Sequence, residues 1–329
     1  MRPAPRTPQH TQAIVMLLLA NLFWGLSFPV IKSITLLHAQ LLPDAGTWFS
    51  TAYTIAPRFL LAVIVLLAWQ ARSFWRITRA ELKQGVILGL FAAAGMLFQV
   101  DGLQFTAAST SAFLTQFYAI MIPVYLALRS RRTPGALVWI SCSLVLAGVA
   151  ILGRFDWREL TFGRGEWETL LSSVFFMGQI LWLDRSEFVG NRVEKFTLVM
   201  FLTEALVFLG LSAATAPSVD ALVLPWTSPG WLGLTASLTV FCTLGAFLIM
   251  NRWQPKITAT EAGLIYCVEP IFGSVMALFL PAMISAWTAI NYPNESATSH
   301  LLIGGGLITL ANVLIQLRPP AKPAAAASK

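Results

Sequence analysis

Apolar residues in this chain come in long unbroken runs, not in the alternating or one-faced patterns of a soluble core. Ten such runs cover residues 12–31, 54–71, 84–104, 109–128, 135–153, 167–183, 196–215, 229–251, 260–282 and 300–317. Each approaches the ~20 residues that an α-helix needs to cross a bilayer. Backbone in hydrocarbon must satisfy its own hydrogen bonds, so each run is read as a helix. The predicted fold class is an all-α integral membrane protein with ten transmembrane helices. The first run contains Asn21 and Pro29 and lacks a small-residue cleavage site, so it is read as a retained helix, not a signal peptide. Residues 1–11 are polar and Pro-rich and form a cytoplasmic leader. Residues 318–329 are low in complexity and are expected to be a disordered tail.

Composition agrees with the pattern. Of 329 residues, 57% are hydrophobic and 11% charged, with a mean hydropathy of +0.71. Soluble domains carry about 25% charged residues, so a soluble enzyme is excluded. The net charge is +7, but Lys and Arg lie between apolar runs and do not gather on one polar face. That placement argues against a nucleic-acid partner and for the lipid bilayer. With the N-terminus in the cytoplasm, seventeen Lys and Arg fall inside and five outside, the latter being Lys32, Arg58, Arg154, Arg158 and Arg164. This bias favours ten spans with both termini cytoplasmic, in a plasma (inner) membrane. Trp69, Trp75, Trp226, Trp231 and Trp253 stand near run ends and are read as interfacial anchors.

The usual catalytic signatures are missing. Cys142, Cys242 and Cys267 lie in apolar runs, and His10, His38 and His300 are far apart, so no metal site is expected. The chain has no P-loop, no His-Glu-x-x-His and no Gly-x-Ser-x-Gly. The expectation is a non-enzyme without cofactor. Asn294-Glu295-Ser296 fits the glycosylation triplet in a loop expected outside.

The two halves repeat. Thr110-Ser111-Ala112 and Thr260-Glu261-Ala262 open comparable runs, each with a mid-run proline, Pro123 and Pro270, offset by about one turn. Five spans per repeat is an odd number, so the second copy lies inverted, an arrangement typical of secondary transporters with a midplane site.

At this point the residues reach a family. Ala20-Asn21-Leu22-Phe23-Trp24-Gly25-Leu26-Ser27-Phe28-Pro29, Arg58-Phe59-Leu60-Leu61-Ala62 and Gly102-Leu103-Gln104-Phe105-Thr106 stand in the first three runs. Ser111-Ala112-Phe113-Leu114-Thr115 and Thr260-Glu261-Ala262-Gly263-Leu264 with Val268-Glu269-Pro270 follow in the fourth and ninth. In order and spacing the set resembles EamA-like proteins of the drug/metabolite transporter superfamily, over about residues 12–317. The resemblance implies two inverted five-helix repeats, 12–153 and 154–317, that move small organic solutes. The fourth run departs from the family's Gly-Glu-Arg-Pro ending, reading Arg129-Ser130-Arg131-Arg132-Thr133-Pro134. The link between the first two spans is long and holds Trp48.

Ionisable groups at membrane depth are costly and point to function. Glu269, beside Pro270, is the first candidate for proton or ion coupling, with a structural helix contact as the bland reading. Glu204, mid-run in the seventh span, is the second, and there a structural partner is favoured. Asp101 is placed at a solvated outer end. Asn21, Trp24 and Ser27 lie at i, i+3 and i+6 on one broad face. With Gln99, Thr115, Gln116, Tyr118, Gln179 and Tyr266 they form the candidate substrate-binding set, because amides and hydroxyls beside aromatic rings suit amphipathic solutes. Gly85 and Gly89, with Ala93 a turn on, are read as a helix-packing face. Gly304-Gly305-Gly306 is read as packing, or as a self-association face that would give a homodimer.

These features together predict a secondary, ATP-independent transporter (efflux or permease) of a small organic metabolite or drug-like solute. A non-transporting receptor or assembly factor on the same fold stands as the rival. A lipid-acting enzyme would need a cluster of acid, base or nucleophile that the sequence lacks. Reporters fused at Lys329 and in the 129–134 loop are expected to read cytoplasmic, and reporters at 218–228 external. An external C-terminus would refute the ten-span reading.

Overall fold

The computed structural model describes residues 8–102, 105, 111, 114–131, 133–152 and 163–316, and all regular structure among them is helical. The first elements are α1 (Pro8–Leu41), α2 (Thr47–Trp69), α3 (Arg79–Gly102), α4 (Tyr118–Ser130), α5 (Ala136–Leu152), α6 (Arg164–Leu183) and α7 (Val193–Thr215). Next, α8 runs over Pro229–Ser237, widens into a π-helical stretch at Leu238–Gly245 and resumes over Ala246–Trp253. Three short helices follow, α9 (Ala259–Tyr266), α10 (Glu269–Ala277) and α11 (Leu280–Thr288), and then α12 (Ser299–Gln316). Residues 103–104, 106–110 and 112–113, which complete two of the sequence motifs, lie outside the described residues, as does the tail 318–329.

Every apolar run overlaps a helix, but length and apolarity alone do not yield ten spans. Five helices qualify: α1, α2, α3, α7 and α8 continued to Lys256. A sixth span results if α9–α10 and α11 are taken as one, bent by 57°. The remaining helices fall short for separate reasons. Helix α6 opens on Arg164, Glu166 and Glu168, α5 has 17 residues and α4 has 13. The apolar part of α12 is only Leu302–Ile315.

Helix ends differ from the apolar boundaries because a helix is not obliged to stop where hydropathy falls. Helix α1 continues ten residues past Ile31, and the Ser33 and Thr35 hydroxyls donate to the carbonyls of Pro29 and Ile31, four residues back, at 2.7 and 3.0 Å. At 1.5 Å per residue, its 34 residues exceed the ~30 Å of bilayer hydrocarbon. Helix α2 starts at Thr47, so the long link expected after α1 shrinks to residues 42–46. This shift also places Arg58, counted among the outer charges, in the body of α2, where it is 5% exposed.

Helix starts carry capping boxes where polar residues allow them. Thr78 and Glu81 exchange side-chain and backbone hydrogen bonds at the start of α3, as Thr258 and Glu261 do at α9. Glu81 also binds Arg192, which ties the start of α3 to the segment before α7. At the other end of α3, Asp101 pairs with Arg164, so it is a buried ion-pair partner and not the solvated residue expected. Proline leaves the carbonyl four residues back without its helical donor. For Pro123 that carbonyl is Ala119, and the Cys142 thiol of α5 donates to it at 3.3 Å.

Packing follows small residues. Helix α2 lies along α7, α3 along α6 and α7, α5 along α12, and α1 against α8 and α10. A second apolar cluster closes one end of the bundle, where Phe49, Tyr53 and Trp231 join Leu234, Ile284 and Ile290. Within it the Trp231 indole donates to His38 Nε2 at 2.9 Å and the Trp226 indole to the Tyr53 hydroxyl at 2.8 Å. Trp231 is thus fully buried and is no interfacial anchor, whereas Trp69 and Trp75 are exposed as anchoring requires. Asn294 accepts from the backbone N–H of Ala282 near the start of α11.

The Gly85–Gly89 pair packs as expected. A Cβ on Gly85 would stand 2.5 Å from the Phe196 carbonyl oxygen and 2.6 Å from Val199 Cβ, and one on Gly89 would stand 2.7 Å from the Met200 oxygen. Gly306 faces open space. Gly85→Val is therefore expected to destabilise the protein by roughly 1–3 kcal/mol or more through overpacking, and Gly306→Ala by almost nothing. Thermal unfolding in detergent, read by size-exclusion chromatography, distinguishes the two.

Candidate functional site

A half-open cavity of about 120 Å3 lies among the helices, lined by α1, α2, α3, α6, α8 and the residues flanking the breaks before α4 and α10. Trp24, Ser27 and Ile31 reach it from α1, and Ile55 and Arg58 from α2. Met96, Gln99 and Val100 come from α3, while Thr115 and Tyr118 stand on either side of the turn that precedes α4. Phe176, Gln179 and Ile180 (α6), Phe247 and Met250 (α8), Tyr266 and Glu269 complete the wall.

Close helix approaches set these side chains in place. Gly25 of α1 meets Phe272 and Gly273 of α10, where a Cβ would stand 2.6 Å from Phe272 Cβ. That contact brings the first turn of α10, and with it Glu269, against the helix that carries Trp24. On α3 and α6 the exchange is reciprocal: Phe176 lies over Gly95, and Phe91 lies over Gly178. Met96, Gln99 and Gln179 are thereby held on facing walls. The π-helical stretch of α8 ends at Gly245, just before Phe247, and such wide turns are frequent beside functional sites.

Glu269 is positioned by a broken helix. Helix α9 ends at Tyr266, and the backbone turns through three-residue hydrogen bonds, Cys267 N–H to Leu264 and Val268 N–H to Ile265. Pro270 has no N–H for the Tyr266 carbonyl, and proline is tolerated in the first turn of a helix, where α10 places it. The carboxylate therefore sits at a helix start, where the backbone dipoles favour negative charge.

Aromatic rings form one patch. Trp24 meets Tyr266 edge to face at 5.5 Å and Phe247 at 5.4 Å. Trp24 and Tyr266 are therefore neighbours. Tyr266 donates its hydroxyl to Gln254 Oε1 at 2.8 Å, and Gln254 in turn donates to the Ile180 carbonyl at 2.9 Å. Gln99 donates weakly to Thr115 Oγ1 at 3.5 Å, and the Thr115 hydroxyl donates to the Ser111 carbonyl. The Gln179 amide nitrogen is buried without a hydrogen-bond partner among the described residues.

The cavity thus gathers Trp24, Ser27, Gln99, Thr115, Tyr118, Gln179, Tyr266 and Glu269. Three candidates stay out of its wall. The Asn21 amide turns back to donate to the Leu17 carbonyl of its own helix at 2.7 Å. Gln116 is buried at the turn before α4, and Glu204 is buried on α7, where neither carboxylate oxygen is hydrogen-bonded among the described residues. A helix turns 100° per residue, and cavity contact fades once a residue leaves the 24–27–31 stripe.

Sequence reasoning missed Arg58 as a wall residue, together with Met96, Phe176 and Phe247. The available signal was a cation inside the second run, four residues past its start at residue 54, which was counted with the outer charges. The apolar wall residues carry no signal that separates cavity from core.

Comparisons with known proteins follow this geometry. Residues 11–154 match the EamA-like transporter family. An uncharacterized transporter of Archaeoglobus fulgidus is 24% identical over 307 residues, which covers 92% of this chain and 85% of that protein. A solved crystal structure superposes with a TM-score of 0.63 at 18% identity, over 94% of this chain and 98% of the other, a likeness of fold. The apolar helices and the family match together describe an integral membrane protein. Over residues 11–154 the chain is thus similar to the EamA-like transporter family, the same family that its sequence motifs resemble.

Proposed function

We propose that the protein is a secondary transporter that moves a small organic solute by alternating access, with the interior cavity as the binding site. The observation that carries this reading is the composition of the cavity wall. Aromatic rings, neutral amides and hydroxyls and one carboxylate converge there from both halves of the sequence. No ATP-binding motif accompanies them, and the family match favours transport over catalysis.

Two five-helix units, 12–153 and 154–317, inverted with respect to each other, are part of the proposal. Two features support it. The fourth and ninth runs break at comparable places, at Gln116–Phe117 and Cys267–Val268, each shortly before its proline. Both breaks deliver side chains to the cavity, Thr115 and Tyr118 from one and Tyr266 and Glu269 from the other. Broken helices beside a central site suit a fold in which one half rocks against the other. In this reading both termini face the cytoplasm across a plasma membrane, and Glu269 is the coupling carboxylate.

The test is solute flux in proteoliposomes of purified protein. Trp24→Ala and Tyr266→Ala are each expected to lower the flux of a transported solute about tenfold, equivalent to losing ~1.4 kcal/mol, with little loss of protein. Trp69→Ala and Trp75→Ala should leave flux intact. Glu269→Gln should alter the pH dependence of flux while folded protein remains in the membrane. Normal transport by Trp24→Ala would move the binding site elsewhere, and unchanged pH dependence in Glu269→Gln would remove that residue from coupling.

A further inference from the structure

Among the described residues Arg58 is the one cation in the cavity wall, and its hydrogen bonding is unfinished. It lies on α2 and is almost wholly buried. A guanidinium carries five N–H donors in a planar fork and stays charged. One donor, on Nη2, reaches Met96 Sδ at 3.0 Å, a weak acceptor. The cation also lies 4.9 Å from the centroid of the Phe59 ring. Nε is buried with no hydrogen-bond partner among the described residues. Buried polar groups are normally hydrogen-bonded and buried charges paired.

The field on Arg58 is partly balanced, but its donors are not. Glu204, across the α2–α7 contact, acts electrostatically on Arg58. Its own two oxygens are likewise buried and without hydrogen bonds. Among the described residues no ion pair joins Arg58 to Glu204 or to Glu269. The protein therefore holds a charged fork at the cavity wall, and among the described residues no oxygen hydrogen-bonds to it. Carboxylates fit this fork with two parallel hydrogen bonds. The rings of Trp24, Tyr118, Phe176, Phe247 and Tyr266 line the same space and suit an aromatic or apolar body.

We propose that Arg58 is the specificity-determining residue of the cavity and selects solutes that bear a carboxylate on an aromatic or apolar body. This rests on the cavity being the binding site, as in the preceding subsection. The solute's two oxygens complete the guanidinium's hydrogen bonds, while Glu204 moderates the field from outside the wall. Glu269, at the first turn of α10, is left for coupling.

Equilibrium binding of radiolabelled phenylacetate to the full-length protein tests this, in nanodiscs of zwitterionic phosphatidylcholine so that no anionic lipid competes. 2-Phenylethanol and phenethylamine serve as neutral and cationic competitors of nearly equal shape. The wild type is expected to bind phenylacetate at least about tenfold more tightly than either competitor, the range expected for hydrogen bonds to a charged group. Arg58→Gln should erase that preference. Arg58→Lys should keep part of it, because it retains the charge without the fork. If Arg58→Gln does not fold, the wild-type ranking and Arg58→Lys decide. Equal or tighter binding of the alcohol or the amine overturns the proposal. So does a preference that survives Arg58→Gln, or failure of phenylacetate to bind at millimolar concentration. Flux measured alongside separates the two readings. Anion-selective binding without flux overturns transport and upholds the role of Arg58. Flux of neutral solutes with no anion preference does the reverse.

Discussion

Apolar side chains gain little by leaving lipid tails for a neighbouring helix, because both surroundings are hydrocarbon. Helices in such a solvent are held by how closely their backbones approach and by the few polar contacts between them. Glycine makes the approach possible here at Gly85 and Gly89 against α7, at Gly95 and Gly178 between α3 and α6, and at Gly25 against Gly273. Each contact would be lost to a single added methyl group. The cavity is the space left where these closely packed pairs diverge.

Polar residues divide between holding that frame and facing the cavity. The frame uses ion pairs and capping boxes at helix ends, where Glu81 meets Arg192 and Asp101 meets Arg164. Mid-helix polar groups mostly bond back to their own helix, as Asn21, Ser33 and Thr54 do. Such local bonds satisfy a side chain without requiring a neighbour. The exceptions are therefore informative. Among the described residues Gln179, Arg58 and Glu204 keep buried polar atoms without hydrogen-bond partners, as do Gln116, Ser212 and Thr243, and of these Gln179 and Arg58 line the cavity.

Broken helices give the site its chemistry. The turns before α4 and α10 interrupt the backbone ladder inside the bundle, where protein rather than lipid surrounds it. They aim Thr115, Tyr118, Tyr266 and Glu269 at the same space. The cost of breaking the ladder is reduced by thiols as well as by tight turns: Cys142 donates to the Ala119 carbonyl and Cys267 to that of Gly263. The three cysteines, featureless in sequence, are all buried, and each donates a hydrogen bond to a backbone carbonyl.

Sequence alone determined the helical class, the position of each apolar run and most of the polar cavity wall. It could do so because solvation in lipid dictates helix formation, and because a buried polar group is costly enough to stand out in an apolar run. The family resemblance came from the same residues. Helix ends escaped it, since Ser33 and Thr35 prolong α1 through local hydrogen bonds that hydropathy does not register. Only the tertiary structure decided which polar residues share a space. Asn21 and Trp24 are one turn apart, yet one bonds its own helix and the other lines the cavity. Arg58 counted as an outer charge near the start of its run, and the start of α2 at Thr47 put it inside the bundle. These outcomes depend on the rotation and close approach of whole helices, which are set by contacts between residues far apart in the chain.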